Sequence, residues 1–191
     1  MAKDKKTDKK ELKKQLAVEK VEQSKKKEAL ERLKPLFFSF ILWGILMGLI
    51  YIPVIHQATM SFFVDFVVES TVFLGNLLFF PVESSGSPLI QVAGYHMKVI
   101  FECTAYNFYL FALALVVFGK WSLKDKIINF IIFIISIFIL NAFRFIIMGY
   151  VGKFFPSAFH QVHDYVCTIV FGLVVFILYI WRNDQSLITD D

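Results

Sequence analysis

Cysteine is scarce in this chain. Of its 191 residues only Cys103 and Cys167 are cysteines, too few for a disulfide framework and too few to read a redox compartment from. Charge is scarce as well once the first 34 residues are set aside. That tail holds 13 of the 20 Lys+Arg and 7 of the 16 Asp+Glu, a net of +6, which leaves 7 basic and 9 acidic groups, net −2, for the other 157 residues. No internal repeat is visible, and no A-x-A cleavage site follows the first apolar run, which reads as an uncleaved anchor rather than a secretory signal. What the chain has in place of charge is apolar surface. A soluble domain is about 45–50% apolar and about 25% charged; here the values are 57% and 19%, with 23 phenylalanines and a mean hydropathy of +0.63. A soluble enzyme, a disordered chain and a compact nucleic-acid binder are all disfavoured by this balance.

A span needs roughly 20 apolar residues. Leu36–Ile55 supplies one, Cys103–Phe118 a second if Ile100 and Phe101 join it, Ile127–Val151 a third interrupted only by Arg144, and Tyr165–Trp181 a fourth. The stretch His56–Phe80 is apolar but carries Asp65, Glu69 and Asn76. Basic groups favour the cytoplasm. The Lys-rich tail, the loop Lys120–Lys126 and Arg182 all fall on that side only if His56–Phe80 does not cross. The expectation is therefore an all-α integral membrane protein of the cytoplasmic (inner) membrane, with about four transmembrane helices and both termini inside. An interfacial or re-entrant helix over 56–80 lies on the outer side, and Pro81–Phe101 forms a short outer hairpin. Three regions follow: a basic cytoplasmic tail, 1–34, forming a solvated helix with a thin stripe of Leu12, Leu16, Leu30 and Leu33 and attracted to anionic lipid; a transmembrane domain, 35–182; and a cytoplasmic C-terminal tail, 183–191.

Ionisable groups at membrane depth are functional hypotheses by default. Arg144 lies 17 residues into its outward-running stretch, about 25 Å from the inner end of a roughly 30 Å core. Cys103 and His163 each open a helix at the outer face, so three chemically useful side chains share one depth. Each has a plainer role: the Cys as packing, the Arg snorkelling to headgroups, the His as an amphipathic interface residue. Together they suit acyl transfer. A helix N-terminus and a neighbouring cation lower a thiol's pKa, His163 would take the thiol proton and return it to a leaving amine, and Arg144 would hold the oxyanion. Asn141 lies one turn below Arg144; Tyr106 and Asn107, three and four residues past Cys103, could orient the set; Glu102 points about 100° away from Cys103 on a helix. A competing zinc set of Cys103, His163, Cys167 and one of His96 or His160 has ligand-like spacing only at His163/Cys167, and an Arg beside a cation is unfavourable. No metal or cofactor is expected.

Three blocks in this order resemble the exosortase/archaeosortase family of membrane cysteine transpeptidases, most closely its compact exosortase H branch. Glu102-Cys103-Thr104-Ala105 looks like the nucleophile block, Asn141-Ala142-Phe143-Arg144 is similar to an Asn-x-x-Arg block within a span, and Gly149–Pro156 through His163-Asp164 looks like the block carrying the family histidine. Ala105 stands where the family usually has Gly, and His160 is a rival base; His163 better fits the spacing from Phe-Phe-Pro to the last span. The resemblance covers roughly Leu36 to Trp181. It implies a protease/transpeptidase that cleaves a C-terminal sorting signal (motif, transmembrane helix, basic tail) of membrane-anchored exported proteins, with Cys103, Arg144 and His163 catalytic. A Cys103 thioester would be passed to an acceptor nucleophile such as a lipid headgroup. The alternative is a non-enzymatic multi-pass assembly or transport subunit.

Overall fold

The computed structural model of the chain describes residues 4–189. Helix α1 (Asp4–Ile50) runs through Pro35 without a break and is followed after two residues by α2 (Pro53–Leu77), which starts on a proline, the residue whose missing N–H costs a helix least at its first position. Three short strands follow, β1 (Val82–Gly86), β2 (Leu89–Val92) and β3 (Tyr95–Lys98), then a 3₁₀ turn over Phe101–Thr104. Helix α3 (Tyr106–Phe118) and helix α4 (Leu123–Phe154) come next, the latter capped by Ser122, whose Oγ accepts the Asp125 N–H at 3.2 Å. A 3₁₀ turn at Pro156–Ala158, a single turn α5 (Phe159–Gln161) and a π-helical turn over Val162–Cys167 lead into α6 (Thr168–Thr189).

The chain is an all-α integral membrane protein apart from the small sheet. Leu33–Ile50, Pro53–Leu77, Leu123–Phe154 and Pro156–Asn183 are each long and apolar enough to cross a bilayer. The span expected over Cys103–Phe118 is shorter than its apolar run. Its helix begins only at Tyr106, because Ala105 takes a left-handed conformation (φ 60°, ψ 18°) and ends the preceding turn, and 13 helical residues reach about 20 Å. The stretch expected to be interfacial or re-entrant is one continuous 25-residue helix. At its start, His56 packs edge-on against Phe101 at 5.0 Å and the preceding Tyr51 meets the Tyr106 hydroxyl at 2.9 Å. Past its other end Phe80 lies 6.4 Å from Tyr150, near the end of α4. Both ends of α2 thus meet the end of the bundle that carries Cys103. α1 is continuous through residues 34 and 35, and α6 through residues 182 and 183. In the expected tail stripe, Leu30 and Leu33 are exposed; the side chains of Leu12 and Leu16 lie outside the described residues.

The expected hairpin is a three-stranded antiparallel sheet in the order β1-β2-β3. β2 and β3 are joined by Ala93-Gly94, both at positive φ (51° and 87°), the two-residue turn whose twist matches its flanking strands. The sheet rests on α2 and α4: Val64, Val67, Val82, Ile90, Val92, Met97 and Met148 form one buried cluster that also holds Cys103. Close approach is built in. A Cβ at Gly149 would lie 2.3 Å from Val92 and one at Gly152 2.3 Å from the Tyr95 ring, so the backbone of α4 sits directly against the hairpin. A second cluster packs α3, α4 and α6 through Leu115, Phe133, Ile137, Phe171 and Val175. Ser39 and Trp43 tie α1 to α3 through the Ala114 and Asn107 carbonyls, both at 3.0 Å.

Candidate active site

Cys103 is delivered by the 3₁₀ turn, whose closure is local: its own N–H donates to the Ile100 carbonyl at 2.9 Å, and the Thr104 hydroxyl donates to the Phe101 carbonyl at 2.8 Å. The left-handed Ala105 then redirects the chain into α3. An L-residue there costs about 1–2 kcal/mol that glycine does not incur, which is a physical reason for glycine to be favoured at this position. Cys103 is 5% exposed and lies two residues before the helix cap rather than in the first turn of α3, so the macrodipole acts on it less than the sequence implied. Burial pushes its thiol above the ordinary range, against a smaller lowering by the Arg144 guanidinium.

His163 comes from the π-helical turn and Arg144 from α4. Cys103 Sγ lies 3.2 Å from His163 Nε2, Arg144 Nη2 lies 2.8 Å from the same Nε2, and His163 Nδ1 lies 2.7 Å from Asp164 Oδ1. A guanidinium has no acceptor. The Nε2 it reaches must therefore carry the lone pair, which assigns the proton to Nδ1, donated to the Asp164 carboxylate. The thiol hydrogen and an Arg144 N–H converge on one lone pair. These groups border a cleft of about 280 Å³ that also touches Met97, Lys98, Ile100, Phe145, Met148, Phe159 and His160. The Phe159 ring stacks on His163 at 6.2 Å and holds it in plane.

The structure thus brings together Cys103, Arg144 and His163. Asn141 is buried one turn below Arg144; among the described residues its Oδ1 and the Arg144 Nε have no hydrogen-bond partner. His160 is exposed at the rim of the cleft and packs edge-on against Phe159. Tyr106 faces elsewhere, stacked on Phe101 at 4.1 Å with its hydroxyl on Tyr51, and braces the turn from behind. Asn107 engages α1 through its backbone carbonyl. Glu102 is exposed and borders a neighbouring cavity instead. Among the described residues, Cys103, His163 and Cys167 do not assemble with His96 or His160 into a metal-ligand cluster. Sequence reasoning missed Asp164 as a site residue. Successive residues on an α-helix point about 100° apart, so its carboxylate is not expected at its neighbour's ring. π-helical turns of this kind recur at functional sites, but no residue pattern announced this one.

A family model described as "Transmembrane exosortase (Exosortase_EpsH)" matches residues 29–180. No curated protein and no solved structure matches the chain.

Proposed function

Because the chain belongs to the transmembrane exosortase family, we propose that it is a membrane-embedded cysteine transpeptidase, with Cys103 as nucleophile, His163 as general base and acid, and Arg144 as oxyanion donor. The observation that carries the reading is the convergence of the Cys103 thiol and the Arg144 guanidinium on one imidazole nitrogen, 3.2 and 2.8 Å away. Its substrates are membrane-anchored exported proteins ending in a sorting motif, a transmembrane helix and a basic tail.

The mechanism follows from the competition for Nε2. As Sγ attacks the scissile carbonyl, the thiol proton passes to His163. The resulting imidazolium can no longer accept from Arg144, so the Nη2 donor is freed for the oxygen on which negative charge is developing. Collapse of the tetrahedral intermediate breaks the C–N bond, His163 gives its proton to the departing amine, and a thioester remains on Cys103. An acceptor nucleophile, a lipid headgroup amine or hydroxyl, then loses its proton to His163 and displaces Sγ, which takes that proton back and restores the thiol. The site faces the extracytoplasmic side of the cytoplasmic membrane. The Lys-rich tail and the Lys120–Lys126 loop lie inside, and α2 lies along the outer face, a placement supported by both of its ends meeting the site's end of the bundle. A substrate already anchored in the same bilayer arrives laterally, which removes much of the entropy of encounter.

Hydroxylamine tests the thioester. Added to membranes holding enzyme and substrates, it should divert the acyl group to a hydroxamate, releasing substrate bodies without tails in amounts that depend on Cys103. Bodies released equally from Cys103→Ala membranes would overturn the reading. Asp164 holds Nδ1–H and faces the charge that forms on the ring, so Asp164→Asn should slow tail removal about 10- to 100-fold. That is less than the roughly 10⁴-fold seen where the orienting carboxylate is buried, because Asp164 is 58% exposed. Initial rates of tail removal for Asp164→Asn and Asp164→Glu, the latter retaining part of the rate, check it.

A further inference from the structure

We propose that an extended segment of the substrate adds as a fourth strand to the free edge of β3, and that this pairing presents the scissile carbonyl to Cys103. The inference rests on the transpeptidase reading and names how that site holds its polypeptide. In the sheet order β1-β2-β3, β3 is an edge strand among the described residues. The register decides which of its backbone groups are unused. The Val99 N–H donates to the Pro88 carbonyl at 2.8 Å, and Ile90 pairs with Met97 and Val92 with Tyr95. Antiparallel bonds alternate along a strand, so Tyr95, Met97 and Val99 turn their N–H and C=O groups to β2, while His96 and Lys98 turn theirs outward.

The outward edge borders the catalytic cleft. Met97, Lys98 and Ile100 line it together with Cys103, Phe159 and His163. The Ile100 carbonyl accepts the Cys103 N–H, so the strand passes directly into the turn that carries the nucleophile. A polypeptide lying about 4.8 Å from β3, the ordinary interstrand spacing, therefore occupies the cleft and ends at Sγ.

The chemistry asks for such a partner. A helix hides each carbonyl in its own hydrogen-bond ladder, so the residues around the scissile bond must be extended before a thiol can reach one. An extended segment at the edge of the hydrocarbon leaves N–H and C=O groups with little water to satisfy them, which is strongly unfavourable. The His96 and Lys98 backbone groups meet that need. Main-chain pairing of this kind binds a backbone irrespective of its side chains, leaving sequence choice to the pockets on either side.

The test uses the full-length protein in lipid nanodiscs and two thiol reagents, acetyl-trialanyl chloromethyl ketone and chloroacetamide. With either, a C–S bond forms at Cys103, the C–Cl bond breaks, and the thiol proton leaves with chloride. Each rate is normalised to that with free cysteine. The peptidyl reagent should label Cys103 at least about 4-fold faster, as expected for two or three hydrogen bonds worth about 2- to 10-fold each. N-methylation of alternate alanines should remove that advantage in one alternating set only, since only that set faces β3. Lys98→Pro, which deletes an outward N–H and leaves the β2 ladder its donors, should reduce the ratio of the two rates about 2- to 10-fold. If that variant misfolds, the methylation series on the unaltered protein decides. A peptidyl reagent with no advantage, or methylation effects that do not alternate, overturns the proposal. Such a result with tail removal still dependent on Cys103 removes the strand and leaves the transpeptidase; tail removal independent of Cys103 removes both.

Discussion

Replacing Cys103 with Ala should stop removal of sorting-signal tails altogether, a loss of about 10⁶-fold when a catalytic nucleophile is deleted from an acyl-transfer site. Cys103→Ser should be nearly as inactive. A hydroxyl is a far weaker nucleophile, and the site is built around a larger, softer sulfur held 3.2 Å from His163 Nε2. Loss of fold would not account for the result. Removing one sulfur from the buried cluster that joins α2, the sheet and α4 leaves a small void, worth about 1 kcal/mol for one methyl-sized group, and the Phe101–Thr104 turn is closed by backbone and Thr104 bonds that alanine keeps. Immunoblotting for full-length and tail-less substrate gives the activity, and the thermal melting temperature of the purified variant gives the stability. Full-length substrate accumulating on a variant that melts within a few degrees of the wild type is the expected pair. Normal processing by Cys103→Ala would end the proposed chemistry.

Arg144→Lys should lower tail removal about 10²- to 10³-fold while preserving expression and insertion. The substitution keeps the positive charge and a stem long enough to snorkel, so an arginine serving only as an anchor would tolerate it. It does not keep the planar fork. In the wild type Nη2 sits 2.8 Å from His163 Nε2, where one donor can be exchanged from the imidazole to a nascent oxyanion without moving the side chain; an ammonium on a flexible chain has no second donor fixed at that angle. Arg144→Ala separates charge from geometry. The guanidinium partly offsets the burial that raises the Cys103 thiol. Its deletion should move the midpoint of iodoacetamide labelling of Cys103 to higher pH, because less of the thiol is ionised at any given pH. Arg144→Lys should return that midpoint toward wild type without returning the processing rate. Recovery of both by lysine would mean that charge alone is needed and would remove the oxyanion role.

Much of this protein was legible in its residues. The fixed rise of a helix turned spacing into depth, which put Arg144 near one end of its span, and charge asymmetry separated a basic tail from an apolar body. The apolar stretches were readable because bilayer thickness sets a minimum length that few other contexts demand. Boundaries were less so. Composition carried the expected second span back to Cys103, whereas the left-handed Ala105 delays the helix to Tyr106. Glu83-Ser84-Ser85-Gly86 has the composition of a loop, yet it forms most of β1 by pairing with β2.

Local composition and the constant geometry of helices were enough to make this a membrane protein and to bring a thiol, a guanidinium and an imidazole near a common level. Packing between distant segments made the three touch, set which imidazole nitrogen carries the lone pair, placed Asp164 on the other, and led β3 toward the turn that carries the cysteine. Those outcomes depend on a π-helical turn and on contacts between α4, β3 and the segment before α6. Distances of a few tenths of an ångström between groups far apart in the chain are set by packing, which no local periodicity encodes.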